Sequence, residues 1–85
     1  MTTLEKAINI AVEAHKGQTD KAGKPYIMHL LRVMMKGKTE EEQICGVLHD
    51  LIEDTHWTAE DLRKENFPEK YEETIKYAFF PFSNI

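Results

Sequence analysis

The sequence predicts an all-α fold, a bundle of about five short helices, and three observations carry that expectation. Helix-start signatures of the form Thr-x-x-acid occur at Thr2–Glu5, Thr39–Glu42 and Thr58–Asp61. Between them, apolar residues recur at three- and four-residue spacing. No stretch alternates apolar and polar residues with period two, so no sheet is expected.

The elements follow in order. Thr2 is placed to cap a first helix, with apolar positions Leu4, Ala7, Ile8, Ala11 and Val12, then Ala14/His15. Lys16 belongs to its last turn and Gly17 to the residue that stops it. The segment GQTDKAGKP, residues 17–25, is polar and rich in breakers, hence a loop with a turn at Ala22-Gly23. Tyr26 to Lys36 reads as a second helix, with Leu31, Met34 and Met35 inward, Met28 as further core filling, and Gly37 as its stop. Thr39 opens a third helix expected to run to Asp54, with Glu40, Glu41 and Glu42 at the positive end of its dipole. Thr58 opens a short fourth helix ending near Asn66, its box weaker because Asp61 replaces glutamate. Pro68 suits the first turn of a last helix, Glu69 to about Phe79.

The chain has 85 residues, 41% hydrophobic and 31% charged, which fits one small globular domain spanning 1–85 and excludes intrinsic disorder. A net charge of -4 argues against DNA as the main partner. The single cysteine, Cys45, cannot form an internal disulfide, and its apolar neighbours mark it as a small buried hydrophobe. No apolar run approaches the roughly 20 residues of a membrane span, and the first residues do not read as the charged, apolar and cleavage segments of a signal peptide, so none is expected. A cytoplasmic setting is therefore expected.

The third helix carries the chemistry. With Ile44 as zero and about 100° per residue, Val47, Leu48, Leu51 and Ile52 fall within roughly 80° and form a buried face. Gly46, His49, Asp50 and Glu53 fall at about 200°, 140°, 240° and 180°, a patch on the opposite side. His49 and Asp50 offer one nitrogen and one carboxylate oxygen, a set suited to Mn²⁺, Fe²⁺, Zn²⁺ or Mg²⁺. Glu53 lies one turn on, with Asp54 beside it, where a carboxylate can position or deprotonate a water. Spacing alone leaves open a solvated acidic face near a helix end. His29, at the start of the second helix, is a candidate third ligand or a histidine satisfied by a carbonyl. His15 closes the first helix, where a cation suits the dipole. His56 is expected to be exposed, and Trp57 to pack the short helix onto the core.

AHKGQ at residues 14–18, DKAGKPYIMH at 20–29, VLHDLIEDT at 47–55 and the following WTAEDL resemble, in this order, the HD-domain phosphohydrolases. The likeness is greatest to the RelA/SpoT-type hydrolases that remove the 3′-pyrophosphate of guanosine alarmones, and it runs from about Ala7 to Tyr77. It implies His29, His49 and Asp50 as ligands of a divalent metal, in this family usually Mn²⁺. It implies Glu53 and Asp54 as the pair that activates water, Lys21 as a basic contact to the nucleotide, and Tyr26 as a wall of the pocket.

The chain also departs from that family. Asp20 stands where an arginine packs on the guanine base; an acid there repels phosphate and cannot stack in the same way. Leu30 replaces a proline after His29, which alters only how the helix begins. An aspartate on a later helix completes the family's metal site and has no counterpart by residue 85, so a C-terminally truncated bundle is expected. Residues 78–85, AFFPFSNI, form an atypical apolar tail, and an exposed apolar surface there predicts a homodimer. The resemblance thus implies a metal-dependent hydrolase acting on a nucleotide pyrophosphate. The alternatives are a weakly active relative serving as a nucleotide-binding or interaction module, and a plain helical domain.

Overall fold

The computed structural model describes residues 2–77 and is all-helical there. Its elements are α1 (Thr3–Ala14), α2 (Ile27–Met35), α3 (Glu40–Leu48), α4 (Leu51–Asp54), α5 (Ala59–Lys64) and α6 (Glu69–Tyr77). The apolar tail and the dimer surface expected on it lie outside the described residues. No helix among the described residues is long and apolar enough to cross a membrane.

The caps form largely as the sequence predicts. Thr2 Oγ1 accepts from the Glu5 amide at 3.1 Å, and the Glu5 carboxylate accepts from the Thr2 amide at 2.9 Å. Those bonds to Thr2 hold the Glu5 carboxyl below its ordinary pKa. At α5 the box is complete, because Asp61 Oδ2 reaches the Thr58 amide at 2.9 Å while Thr58 Oγ1 accepts from the Asp61 amide at 3.2 Å. The shorter acid thus still closes both bonds of the box. At α3 the box is displaced by one residue: Thr39 Oγ1 accepts from Glu42, but the Glu42 carboxylate takes the Lys38 amide at 2.7 Å.

α1 ends at Ala14, before Lys16, because the chain turns at His15 and reaches Gly17 in the left-handed region, φ +85°. The loop that follows is a small hairpin. Its Thr19–Pro25 bridge is the single β contact among the described residues, and Gly23 at φ +82° makes the turn. In α2 the triplet Leu30, Val33 and Met34 sets the inward face through its i, i+3, i+4 spacing. Met28 and Met35 lie off that face and are 46% and 72% exposed, so they are not core filling.

α3 is the central element, packed against α1, α2 and α6. With neighbours on several sides it buries Ile44, Cys45, Gly46, Val47 and Leu48 in succession. Gly46 is therefore interior, not part of an exposed patch opposite the core. Nor does the helix run unbroken to Asp54. Asp50 leaves helical geometry at φ −98°, ψ 4°, and a short turn separates α3 from α4. Leu48, Leu51 and Leu62 are fully buried, and each contributes about 2 kcal/mol of gross transfer free energy. Trp57 packs against the same core, and Arg63 Nε holds the buried Glu72 carboxylate at 2.9 and 3.1 Å, tying α5 to α6.

Candidate functional site

The break after Leu48 determines what the site contains. It turns Asp50 away from the helical wheel and towards the start of α2, where Tyr26 donates its hydroxyl proton to Asp50 Oδ2. His29, one turn beyond Tyr26, brings its ring to 5.8 Å from that of His49, edge to face. One ligand atom from each of His29, His49 and Asp50 lies within 4.8 Å of the others, and all three residues are half-buried. The three candidate ligands are thus brought together from two elements and a turn.

Hydrogen bonding determines which nitrogen of His49 faces the cluster. Nδ1 sits 2.6 Å from the Gly46 carbonyl, which can only accept, so Nδ1 carries the proton. Nε2 then faces Asp50 Oδ2 at 3.1 Å. Two lone pairs at that separation repel unless a cation lies between them, either a second ring proton or a metal ion. Without metal the proton is favoured. Burial pulls the His49 pKa down, but the bonds to Asp50 and Gly46 outweigh it and hold it above the ordinary value. Burial likewise pushes the Asp50 carboxyl up, and the bonds from His49 and Tyr26 more than reverse it. An N, N, O donor set with a backbone-fixed imidazole fits a borderline divalent ion.

Beside the cluster lies an open hollow of about 680 Å³, lined by Asp20, Lys21, Ala22, Tyr26, His29 and Arg32. Lys21 and Arg32 give it two cations. Asp20 Oδ1 accepts from the Ala22 and Lys24 amides at 2.8 and 3.0 Å, so this oxygen closes its own loop. Burial, and then the bond to Asp50, raises the Tyr26 hydroxyl pKa well above its ordinary value. Glu53 and Asp54 lie on α4, both exposed, and the charges of both are felt at Tyr26. His56 is exposed, and Cys45 is buried on the side of α3 that faces Glu41 and Lys70.

Three participants escape a reading of the sequence. Arg32 follows His29 by three residues and so shares its helix face, a signal present in the spacing. His15 closes α1 as expected, but it is buried, 2% exposed, and its Nδ1 meets Gln18 Oε1 at 2.8 Å. Gln18 reaches the backbone carbonyl of Asp54 at 3.0 Å, a contact between residues 36 apart that no local pattern announces.

No family model matches the chain. Among curated proteins it is 38% identical over 77 residues to the guanosine-3′,5′-bis(diphosphate) 3′-pyrophosphohydrolase of Aquifex aeolicus, covering 86% of this chain and 11% of that protein. It is 39% identical over 66 residues to a GTP pyrophosphokinase of Streptomyces coelicolor, covering 73% of this chain and 8% of that protein. A Borreliella burgdorferi protein with the same name as the Aquifex one is 39% identical over 67 residues, 74% of this chain and 10% of its own length. The chain thus spans about a tenth of the length of the curated relatives it matches. Fold and sequence together define a helical segment shared by pyrophosphohydrolases and pyrophosphokinases of guanosine nucleotides. Over that segment the chain is a homologue of the RelA/SpoT-type proteins.

Proposed function

We infer that this chain carries the hydrolytic, HD-type site of a metal-dependent guanosine alarmone 3′-pyrophosphohydrolase. The observation that carries the reading is the convergence of His29, His49 and Asp50 donor atoms within 4.8 Å, beside a hollow flanked by Lys21 and Arg32. His29 Nδ1 or Nε2, His49 Nε2 and an Asp50 oxygen would hold the ion, with Mn²⁺ the expected occupant. When bound, a divalent ion supplies Lewis acidity at a phosphoryl oxygen and lowers the pKa of water.

The chain's own residues do the rest. Lys21 and Arg32 attract and orient the pyrophosphate by charge. Tyr26 holds Asp50 through its hydroxyl and forms a wall of the hollow. Glu53 and Asp54, exposed one turn beyond Asp50, are free to accept the proton of the attacking water and to orient it. The nucleotide is the substrate, and the reading sets no role for DNA or a membrane.

The test combines calorimetric Mn²⁺ binding with pyrophosphate release from guanosine tetraphosphate. Binding with turnover, both lost in His49→Ala, is the expected result. A His49→Ala chain with undiminished turnover would overturn the assignment. The pyrophosphokinase names among the relatives favour a second reading, a module that binds the nucleotide without cleaving it. Saturable nucleotide binding without pyrophosphate release would select that reading.

A further inference from the structure

We propose that His15 and Gln18 are positioning residues that set the place of the Glu53–Asp54 turn relative to the candidate metal ligands. This inference rests on the hydrolytic reading of that site. Gln18 Nε2 donates to the Asp54 carbonyl at 3.0 Å, and Gln18 Oε1 lies 2.8 Å from His15 Nδ1. The orientation of the amide is not free. Turned over, its oxygen would face the Asp54 carbonyl oxygen, and two acceptors would meet. His15 Nδ1 therefore carries a proton and donates it to Gln18.

His15 is itself immobilised. It is 2% exposed, its backbone amide donates to the Ala11 carbonyl at 3.0 Å, and its ring lies 5.5 Å from that of Tyr26. Tyr26 in turn holds Asp50. One buried imidazole at the end of α1 thus reaches both sides of the site. Through Gln18 it fixes the backbone at Asp54, and through ring contact with Tyr26 it braces the residue that orients Asp50. Its Nε2 is buried and has no hydrogen-bond partner among the described residues. Burying an imidazole costs stability unless its nitrogens are paired. The arm to Asp54 gives that position a use.

The Gln18 arm is separable from metal binding, because its side-chain bonds run to His15 and to the Asp54 carbonyl. Gln18→Glu is the informative variant. It keeps the acceptor for His15 but presents a carboxylate oxygen to the Asp54 carbonyl. Misplacement of a reacting group by about 1 Å costs on the order of 100-fold in rate. Gln18→Glu should lower kcat for pyrophosphate release at least about tenfold, leaving KM and Mn²⁺ affinity within about twofold. His15→Asn, whose amide nitrogen sits near the former Nδ1, should retain most of the turnover that His15→Leu loses. Amide hydrogen exchange across residues 53–57 should accelerate in Gln18→Glu without loss of helical circular dichroism.

The outcomes separate cleanly. An unchanged kcat, or Mn²⁺ affinity falling in step with kcat, overturns the positioning role. If the wild-type chain shows no turnover, the hydrolytic reading fails, and exchange at residues 53–57 then decides positioning alone: acceleration in Gln18→Glu supports it, and no change overturns it.

Discussion

Replacing Tyr26 by phenylalanine removes one oxygen and little else, which makes it the sharpest probe of how the site is held. The hydroxyl donates to Asp50 Oδ2, and Asp50 retains His49 Nε2 at 3.1 Å as its other partner. Hydrogen bonds to charged groups contribute about 1.5–3 kcal/mol, and because neither partner is fully buried the lower end, about 1.5 kcal/mol, applies to Tyr26. For a domain of this size that corresponds to a fall in Tm of about 6–12 °C. The assay is urea denaturation with a chelator present, run on Tyr26→Phe, Asp50→Ala and the double variant. The double variant should be no less stable than Asp50→Ala alone, since the partner is already gone. The pH dependence has a fixed sign. Asp50 has a folded pKa below its unfolded value of 3.8, so its contribution is present above that value. The Tyr26→Phe deficit should accordingly shrink as pH falls through the folded Asp50 value. A coupling within about 0.3 kcal/mol of zero at neutral pH would refute the proposed hydrogen bond as a structural determinant. If Asp50 is a ligand, Mn²⁺ affinity should also fall by about 10–100-fold, as losses of outer hydrogen bonds to ligands commonly produce.

Other consequences follow from the same contacts. A Cβ at Gly37 would lie 2.8 Å from the Gln43 amide nitrogen and 3.0 Å from the Glu42 carbonyl carbon, both backbone atoms. Gly37→Ala should therefore cost about 1–3 kcal/mol in urea denaturation. Burial pushes the Cys45 thiol up to about 12, so a disulfide reagent at neutral pH should label it only as fast as the chain opens. A labelling rate independent of added denaturant would contradict its buried place. His49 has a folded pKa raised above 6.5, so its contribution to metal-free stability is complete below that value and lost as pH rises through the folded value. Mn²⁺ binding below that folded value should release a proton, measured by calorimetry in buffers of different ionisation heat; no release would exclude His49 as a ligand.

The elements were legible because their signals are local. Thr2, Thr39 and Thr58 each cap within three residues, so a linear scan finds them. The interruption at Asp50 was not legible. VLHDLIED is compatible with continuous helix at every position, and the turn arises where Asp50 meets Tyr26 from another element. Gly46 misled for a related reason. A wheel sorts one helix into two faces, whereas α3 has neighbours on several sides and buries the glycine as well. Met28 and Met35 show the converse, since composition alone could not say which apolar side chains of α2 would be left outside.

Asp20 shows how a residue type can point one way and its geometry another. Read as a letter, an acid at the mouth of a hollow proposed to take a pyrophosphate opposes the ligand. In the fold, one of its carboxylate oxygens is committed to the Ala22 and Lys24 amides, and its own amide donates to the Lys24 carbonyl at 2.8 Å. That oxygen is thereby committed to closing the hairpin that presents Lys21. The hollow's electrostatics are set by that choice together with Arg32, which lies one helical turn from His29 and lines the same hollow. Asp20→Asn retains an acceptor for the loop amides but removes the charge. It should leave stability nearly unchanged while strengthening the binding of pyrophosphate-bearing nucleotides about two- to fivefold, as loss of a partly screened like charge predicts. Calorimetric titration of guanosine tetraphosphate into the two chains decides it. Weaker binding by Asp20→Asn would mean that the second carboxylate oxygen contacts the ligand, and that the acid is part of recognition and not only of the loop.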